Sequence, residues 1–192
     1  MPSVKSGGFV QVHVLKLDFH ALPKVLKDVV EYWRALKGDR FAPTWAEIDM
    51  MRLPMELLPT TVVVDCVEDV GGPNYRYRYY GSGLRNIHNV ELTGKTPDDL
   101  PVPQLSQVIK TEFRQVQQSR TPLYALYGFY EDHENNLEDG FLNVVRLPVS
   151  NDGKTVSHIL SVNRYMMHDL RLNKMFKILE IPVSAERSLC SA

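Results

Sequence analysis

Cysteine is scarce: Cys66 and Cys190 are the two in 192 residues. They build no disulfide framework, and no Cys-x-x-Cys pair offers a zinc or redox motif. Cys66 sits in an apolar run, where a thiol acts as a small buried hydrophobe. Excess charge is also missing. Lys and Arg number 22 against 23 Asp and Glu, a net charge of −1, so no basic field addresses nucleic acid or an anionic membrane. No basic segment followed by an apolar run marks a secretory leader at the N-terminus. No stretch is long and apolar enough to span a bilayer. The expectation is a protein of the reducing cytoplasm, with neither nucleic acid nor membrane as a partner.

Motifs with fixed chemistry are incomplete. Gly94-Lys95-Thr96 has the end of a phosphate-binding loop, but Asn89 stands where the loop needs its other glycine. Gly81-Ser82-Gly83 lacks the third glycine of a dinucleotide fingerprint and suits a strand-to-helix turn, with Ser82 offered as a helix cap. The six histidines (His13, His20, His88, His133, His158 and His168) contain no i, i+4 ligand pair. Asp98-Asp99 and the acidic run from Glu131 to Glu134 lack rigid metal spacing and read as solvated loops. No Ser-His-Asp set can be inferred, because such contacts are spatial rather than sequential.

The informative stretch runs from Asn74 to Thr96. Its first half alternates as a strand does, which predicts Tyr75, Tyr77 and Tyr79 on one face and Arg76, Arg78 and Tyr80 on the other. The glycine turn follows, then a short helix with Leu84, Ile87 and His88 at helical spacing, then Leu92-Thr93-Gly94.

Before this stretch, Val10 to Leu15 alternates and fits either an edge strand of the main sheet or an arm swapped onto a partner. Pro23 suits the first turn of a helix whose stripe is Val25, Leu26, Val29, Val30, Trp33 and Leu36, with Gly38 as its C-terminal cap. Thr44 and Glu47 have capping-box spacing. Thr61 to Val67 is a strand, and Gly71 to Asn74 turns it into the tyrosine strand as a hairpin. Beyond Gly94 an amphipathic helix covers Gln104 to about Ser119, burying Leu105, Val108, Ile109, Phe113 and Val116. Three strands follow: Leu123 to Phe129, Phe141 to Val149, and one that places Val156, His158, Leu160 and Val162 on a single face. Asn151-Asp152-Gly153 is the hairpin turn between the last two. Leu170 to Leu179 supports a further amphipathic helix before Pro182. Helices segregated from one antiparallel sheet define an α+β class.

In order, Tyr32-Trp33-Arg34, Ile48-Asp49, Leu57-Leu58-Pro59, Tyr75 to Ser82, Leu92-Thr93-Gly94 and Arg146 to Gly153 resemble the stand-alone PAS domains of alphaproteobacteria. The resemblance covers about Val25 to Val162. It implies a PAS-like five-stranded antiparallel sheet with flanking helices. On that reading residues 1–40 are an N-terminal arm and helix, 41–165 the PAS-like domain and 166–192 a C-terminal extension. It also implies a non-enzymatic sensory or interaction module, whose N-terminal helix packs outside the sheet and makes a homodimer. Haem-binding members of the fold carry an axial His on the long helix, and Gln104 to Ser119 has none. The flavin pattern, with a reactive Cys beside Asn-Arg-Phe, is absent too, so the cofactor is left unknown.

A signal molecule would then sit between the long helix, the short helix and the inner sheet face. The residues expected there are Tyr77, Tyr79, Leu84, Ile87, His88, Ile109, Phe113 and Tyr127. Aromatic walls with a few polar tips suit a small-molecule site, although tyrosines in strands also serve plain core packing. The ordinary role for His88 is likewise a hydrogen-bonded structural one. The expected partners are a second copy, a signalling protein or a small ligand. The rival reading is a small enzyme or carrier in the same cavity, with His88, Arg78 and a tyrosine for acid-base work.

Overall fold

Val62, Val63 and Val64 are all buried, a pattern a strand adopts when both faces of its sheet are covered. The computed structural model describes residues 10–69, 72–100, 103–133 and 136–165 and supplies both covers. Its elements are β1 (Val10–Lys16), α1 (Lys24–Lys37), β2 (Thr61–Asp69), β3 (Gly72–Tyr80) and α2 (Ser82–His88). They continue with α3 (Pro103–Ser119), β4 (Leu123–His133), β5 (Asn136–Val149) and β6 (His158–Tyr165). Short 3-10 turns at Trp45–Glu47, Met50–Arg52, Leu58–Thr60 and Pro97–Asp99 join them. The expected tail before Val10 and the helix and tail beyond Tyr165 lie outside the described residues.

The strands form one antiparallel sheet in the order β1-β4-β5-β6-β2-β3. Five of them make the expected sheet, and β1 adds a sixth along β4. Of the two readings of Val10 to Leu15, the described chain takes the edge strand.

One face carries Val63, Val145, Leu147, Leu160 and Val162 against Leu26, Val29, Val30 and Trp33 of α1. Trp33 is buried, and its indole Nε1 donates to the Pro148 carbonyl at 2.8 Å, the usual solution for a buried indole. Gly38 ends α1 at φ 54°, a conformation open to glycine. The opposite, inner face carries Val62, Val64, Val144 and Ile159 beneath α2 and α3.

Three readings are corrected. The tyrosine strand does not keep a single alternation: Val63 pairs with Tyr79 and Val64 with Tyr77. Arg78 is therefore the extra residue of a β-bulge. Beyond it the faces exchange, so Tyr75, Tyr77 and Tyr80 are buried while Tyr79 is 39% exposed. The stretch from Glu131 is strand rather than open loop, since β4 and β5 pair out to His133 and Asn136. The last strand also starts later than expected, since β6 begins at His158 and Val156 packs with the inner cluster rather than beside Leu160 and Val162. Asp152 organises the β5–β6 connection by accepting from the backbone N–H groups of Lys154 and Thr155, at 2.7 and 2.8 Å.

Candidate functional site

The site begins with a close backbone crossing. Gly81 N–H donates to the Thr61 carbonyl at 3.0 Å. A Cβ on Gly81 would lie 2.3 Å from the Pro59 oxygen, and one on Gly83 2.8 Å from it. The Gly-Ser-Gly motif is thus required by proximity, and Gly81, not Ser82, occupies the N-cap of α2. This contact lays α2 along the inner face, with Leu84 buried and His88 in its last turn.

Between α2, α3 and the inner face lies a cavity of about 50 Å³. Its apolar wall includes Leu84 of α2, Leu105, Ile109 and Phe113 of α3, and Leu142 and Val144 of β5. Tyr77 and Tyr80 of β3 close one side, and Tyr127 of β4 and Tyr165 of β6 another. The polar groups are His88, Arg146, Ser161 and Asn163.

Arg146 and Glu112 form the main electrostatic feature, at 4% and 7% exposure. Glu112 Oε2 accepts from Arg146 Nε at 2.6 Å and from the Tyr127 hydroxyl at 2.5 Å, and it lies 2.6 Å from Arg146 Nη2. Arg146 Nη1 donates to Ser161 Oγ at 2.8 Å, and Nη2 to the Tyr127 oxygen at 3.3 Å. The guanidinium also stands 4.7 Å from the centre of the Phe113 ring. Burial opposes the charge on Arg146 most strongly, but Glu112 and Tyr127 together outweigh it and raise the arginine above its ordinary value. Burial raises Tyr127, and the neighbouring Glu112 charge adds to this.

His88 and Tyr80 make a second polar pair, the Tyr80 hydroxyl bonding His88 Nδ1. Burial pushes His88 down to about 3 and raises Tyr80, keeping both neutral at pH 7.

Of the residues expected at the site, Tyr77, Leu84, His88, Ile109, Phe113 and Tyr127 line the cavity. Ile87 packs beside the inner core without lining it. Tyr79 is turned away by the bulge, its hydroxyl donating to the Leu58 carbonyl at 3.4 Å. Sequence reasoning missed Tyr80, Glu112, Arg146, Ser161, Asn163 and Tyr165. One signal was available for Arg146, since Leu142, Val144 and Arg146 share a strand face at period two.

The rival acid-base trio is not assembled. Arg78 bonds Asp65 Oδ1 at 2.6 Å and lies near the Trp45 ring, on the α1 side of the sheet, away from His88. Folding does bring Ser157, His158 and Asp65 together on that side. Ser157 Oγ is 2.9 Å from His158 Nδ1, and His158 Nε2 is 3.4 Å from Asp65 Oδ1. The serine oxygen also bonds the Asn151 N–H and the Val149 carbonyl, while Trp45 stacks on the imidazole. The cluster clamps the β5–β6 connection.

Asp98 accepts from Lys110 Nζ at 2.5 Å and Ser106 Oγ at 3.2 Å, tying its loop to α3. Among the described residues no group of three His, Cys, Asp or Glu is placed to hold a metal ion. No described helix is long and apolar enough to cross a membrane.

A five-stranded antiparallel sheet ordered β4-β5-β6-β2-β3, with a short and a long helix over one face and a cavity beneath them, is a PAS-like α+β fold. No family model matches the chain, and no curated protein does. Among solved structures the chain is similar to an RNA-binding light-oxygen-voltage receptor, at 9% identity and a TM-score of 0.36. That likeness covers 90% of this chain and 42% of the receptor chain, so the chain spans less than half of the receptor's length.

Proposed function

We propose that the chain is a PAS-like sensory module that takes a small molecule into the cavity under α2 and α3. It reports binding through a changed contact with a signalling protein or a second copy. The observation that carries this reading is the cavity itself: an apolar wall with a buried polar cluster around Arg146 at its edge. Small-molecule sites have that character, and a tight-packed structural core has no need of the space. Ligand pockets usually measure hundreds of cubic ångströms, so at about 50 Å³ this one holds only a few atoms unless α3 moves. That movement is how binding would alter the outer surface, since a ligand acts by favouring one of two arrangements.

The module acts in a reducing cytoplasm, in keeping with a half-buried Cys66 that is free of any disulfide. The apolar stripe of α1 and the β1 strand both cover surfaces of this chain, so a homodimer would form through other faces. The rival, an enzyme or carrier in the same cavity, keeps His88 and Tyr80 but loses Arg78.

Native mass spectrometry of protein purified from its own host, followed by denaturation, tests the reading. A stoichiometric small molecule released on unfolding supports it. Ile109→Trp should abolish that species while the protein still folds. If nothing is released, no metabolite raises the melting temperature, and Ile109→Trp merely destabilises, the cavity takes no signal.

A further inference from the structure

We infer that the cavity selects an uncharged molecule carrying an acceptor oxygen, and excludes small carboxylates and amines; this rests on the cavity being a ligand site. Arg146 looks in isolation like an anion receptor, because a guanidinium is the usual partner of a carboxylate. Here that role is already filled by Glu112, which is held from three directions by Arg146 Nε, Arg146 Nη2 and the Tyr127 hydroxyl. A second anion would share one guanidinium with Glu112 and leave a net negative charge in a water-poor interior, which is strongly unfavourable. A cation would meet Arg146 with its countercharge already engaged. His88 offers no compensating charge, because burial keeps it neutral.

What the wall still offers is hydrogen bonding without net charge. Of the five guanidinium N–H groups, Nε bonds Glu112, one on Nη2 bonds Tyr127 and one on Nη1 bonds Ser161, while Nη2 also lies against the Glu112 carboxylate. Among the described residues one Nη1 hydrogen is left without an acceptor, on a residue that lines the cavity. A ketone, amide or alcohol oxygen satisfies it. The rest of such a molecule meets Leu84, Ile109 and Phe113.

The test uses the full chain and three near-isosteric probes small enough for the cavity: acetone, acetate and acetamidinium. Binding is read from backbone amide shifts of Ile109, Arg146 and Ser161 at pH 7. Acetone should perturb these signals at concentrations at least about tenfold below those of either ion. In Glu112→Gln the guanidinium loses its countercharge, and the order of acetone and acetate should reverse. Acetate binding the wild type as well as acetone does would overturn the charge assignment and leave the ligand site intact. So would a charged molecule released from the purified protein. If none of the three probes moves those signals and nothing is released, the ligand site fails with it. Should Glu112→Gln not fold, the wild-type ranking alone decides.

Discussion

Gly81 and Pro59 are in backbone contact so close that a single added methyl would meet the proline carbonyl oxygen at 2.3 Å. Backbone has little room to yield there, because Gly81 N–H is also bonded to Thr61. Gly81→Ala should lose about 1–3 kcal/mol by overpacking, read as a lower urea midpoint at unchanged slope. Ser82→Ala at the next residue, exposed and with no capping bond, should stay within about 0.5 kcal/mol of wild type. Equal losses at both positions would mean that the serine, rather than the close approach, starts α2.

Trp33 combines burial against the sheet with one hydrogen bond. Trp33→Ala should cost about 3–5 kcal/mol. Trp33→Phe restores much of the packing but leaves the Pro148 carbonyl without its donor, and should cost about 1–3 kcal/mol. Light scattering should show the same oligomeric state for all three proteins, because the indole is spent inside the chain. A change of state with Trp33→Ala would place the side chain at an interface.

The Glu112–Arg146 pair should behave as buried pairs do. Removing either partner strands a charge, so Glu112→Leu and Arg146→Met should each cost about 3–5 kcal/mol, while the double variant recovers most of the loss. A double-mutant cycle measures the coupling directly. Additive losses would show that the two side chains act independently.

His88 should make stability depend on pH. Unfolded, its imidazole titrates near the ordinary 6.5, whereas in the fold it holds no proton until about 3. Between these values the unfolded chain binds the proton that the folded chain refuses, so stability falls as pH falls, by up to about 1.4 kcal/mol per pH unit. His158, also lowered by burial, adds in the same direction. Carboxylates titrate lower, so the clean window is pH 6.5 to 5. His88→Gln should flatten the stability profile there, and an unchanged slope would assign it to His158 or other groups.

Much of this architecture is legible because its signals are local. The α1 stripe, α3 from Gln104 to Ser119 and the alternation of β5 each follow from spacing alone, and the cavity wall of Leu84, Ile109 and Phe113 follows from those helices. Tyr79 and Tyr80 exchanged places because a bulge needs no special residue. Arg78 looks like any outward arginine, yet it shifts every later side chain to the opposite face. Glu112 and Arg146 were invisible for another reason. Each taken singly reads as surface charge, and what permits their burial is a partner 34 positions away. The Ser157–His158–Asp65 clamp is spatial in the same way.

The pairing of β1 with β4, from Val10 opposite Glu131 to Lys16 opposite Ala125, sets the order in which the sheet can be finished. β1 leaves the ribosome well before β4, the strand it pairs with, and such distant pairings form slowly. Until then β4 presents an open edge, the surface through which nascent sheets join their neighbours. β1 thus acts as the sheet's own selvedge, and a variant lacking Val10 to Lys16 should aggregate during synthesis even where its core is intact.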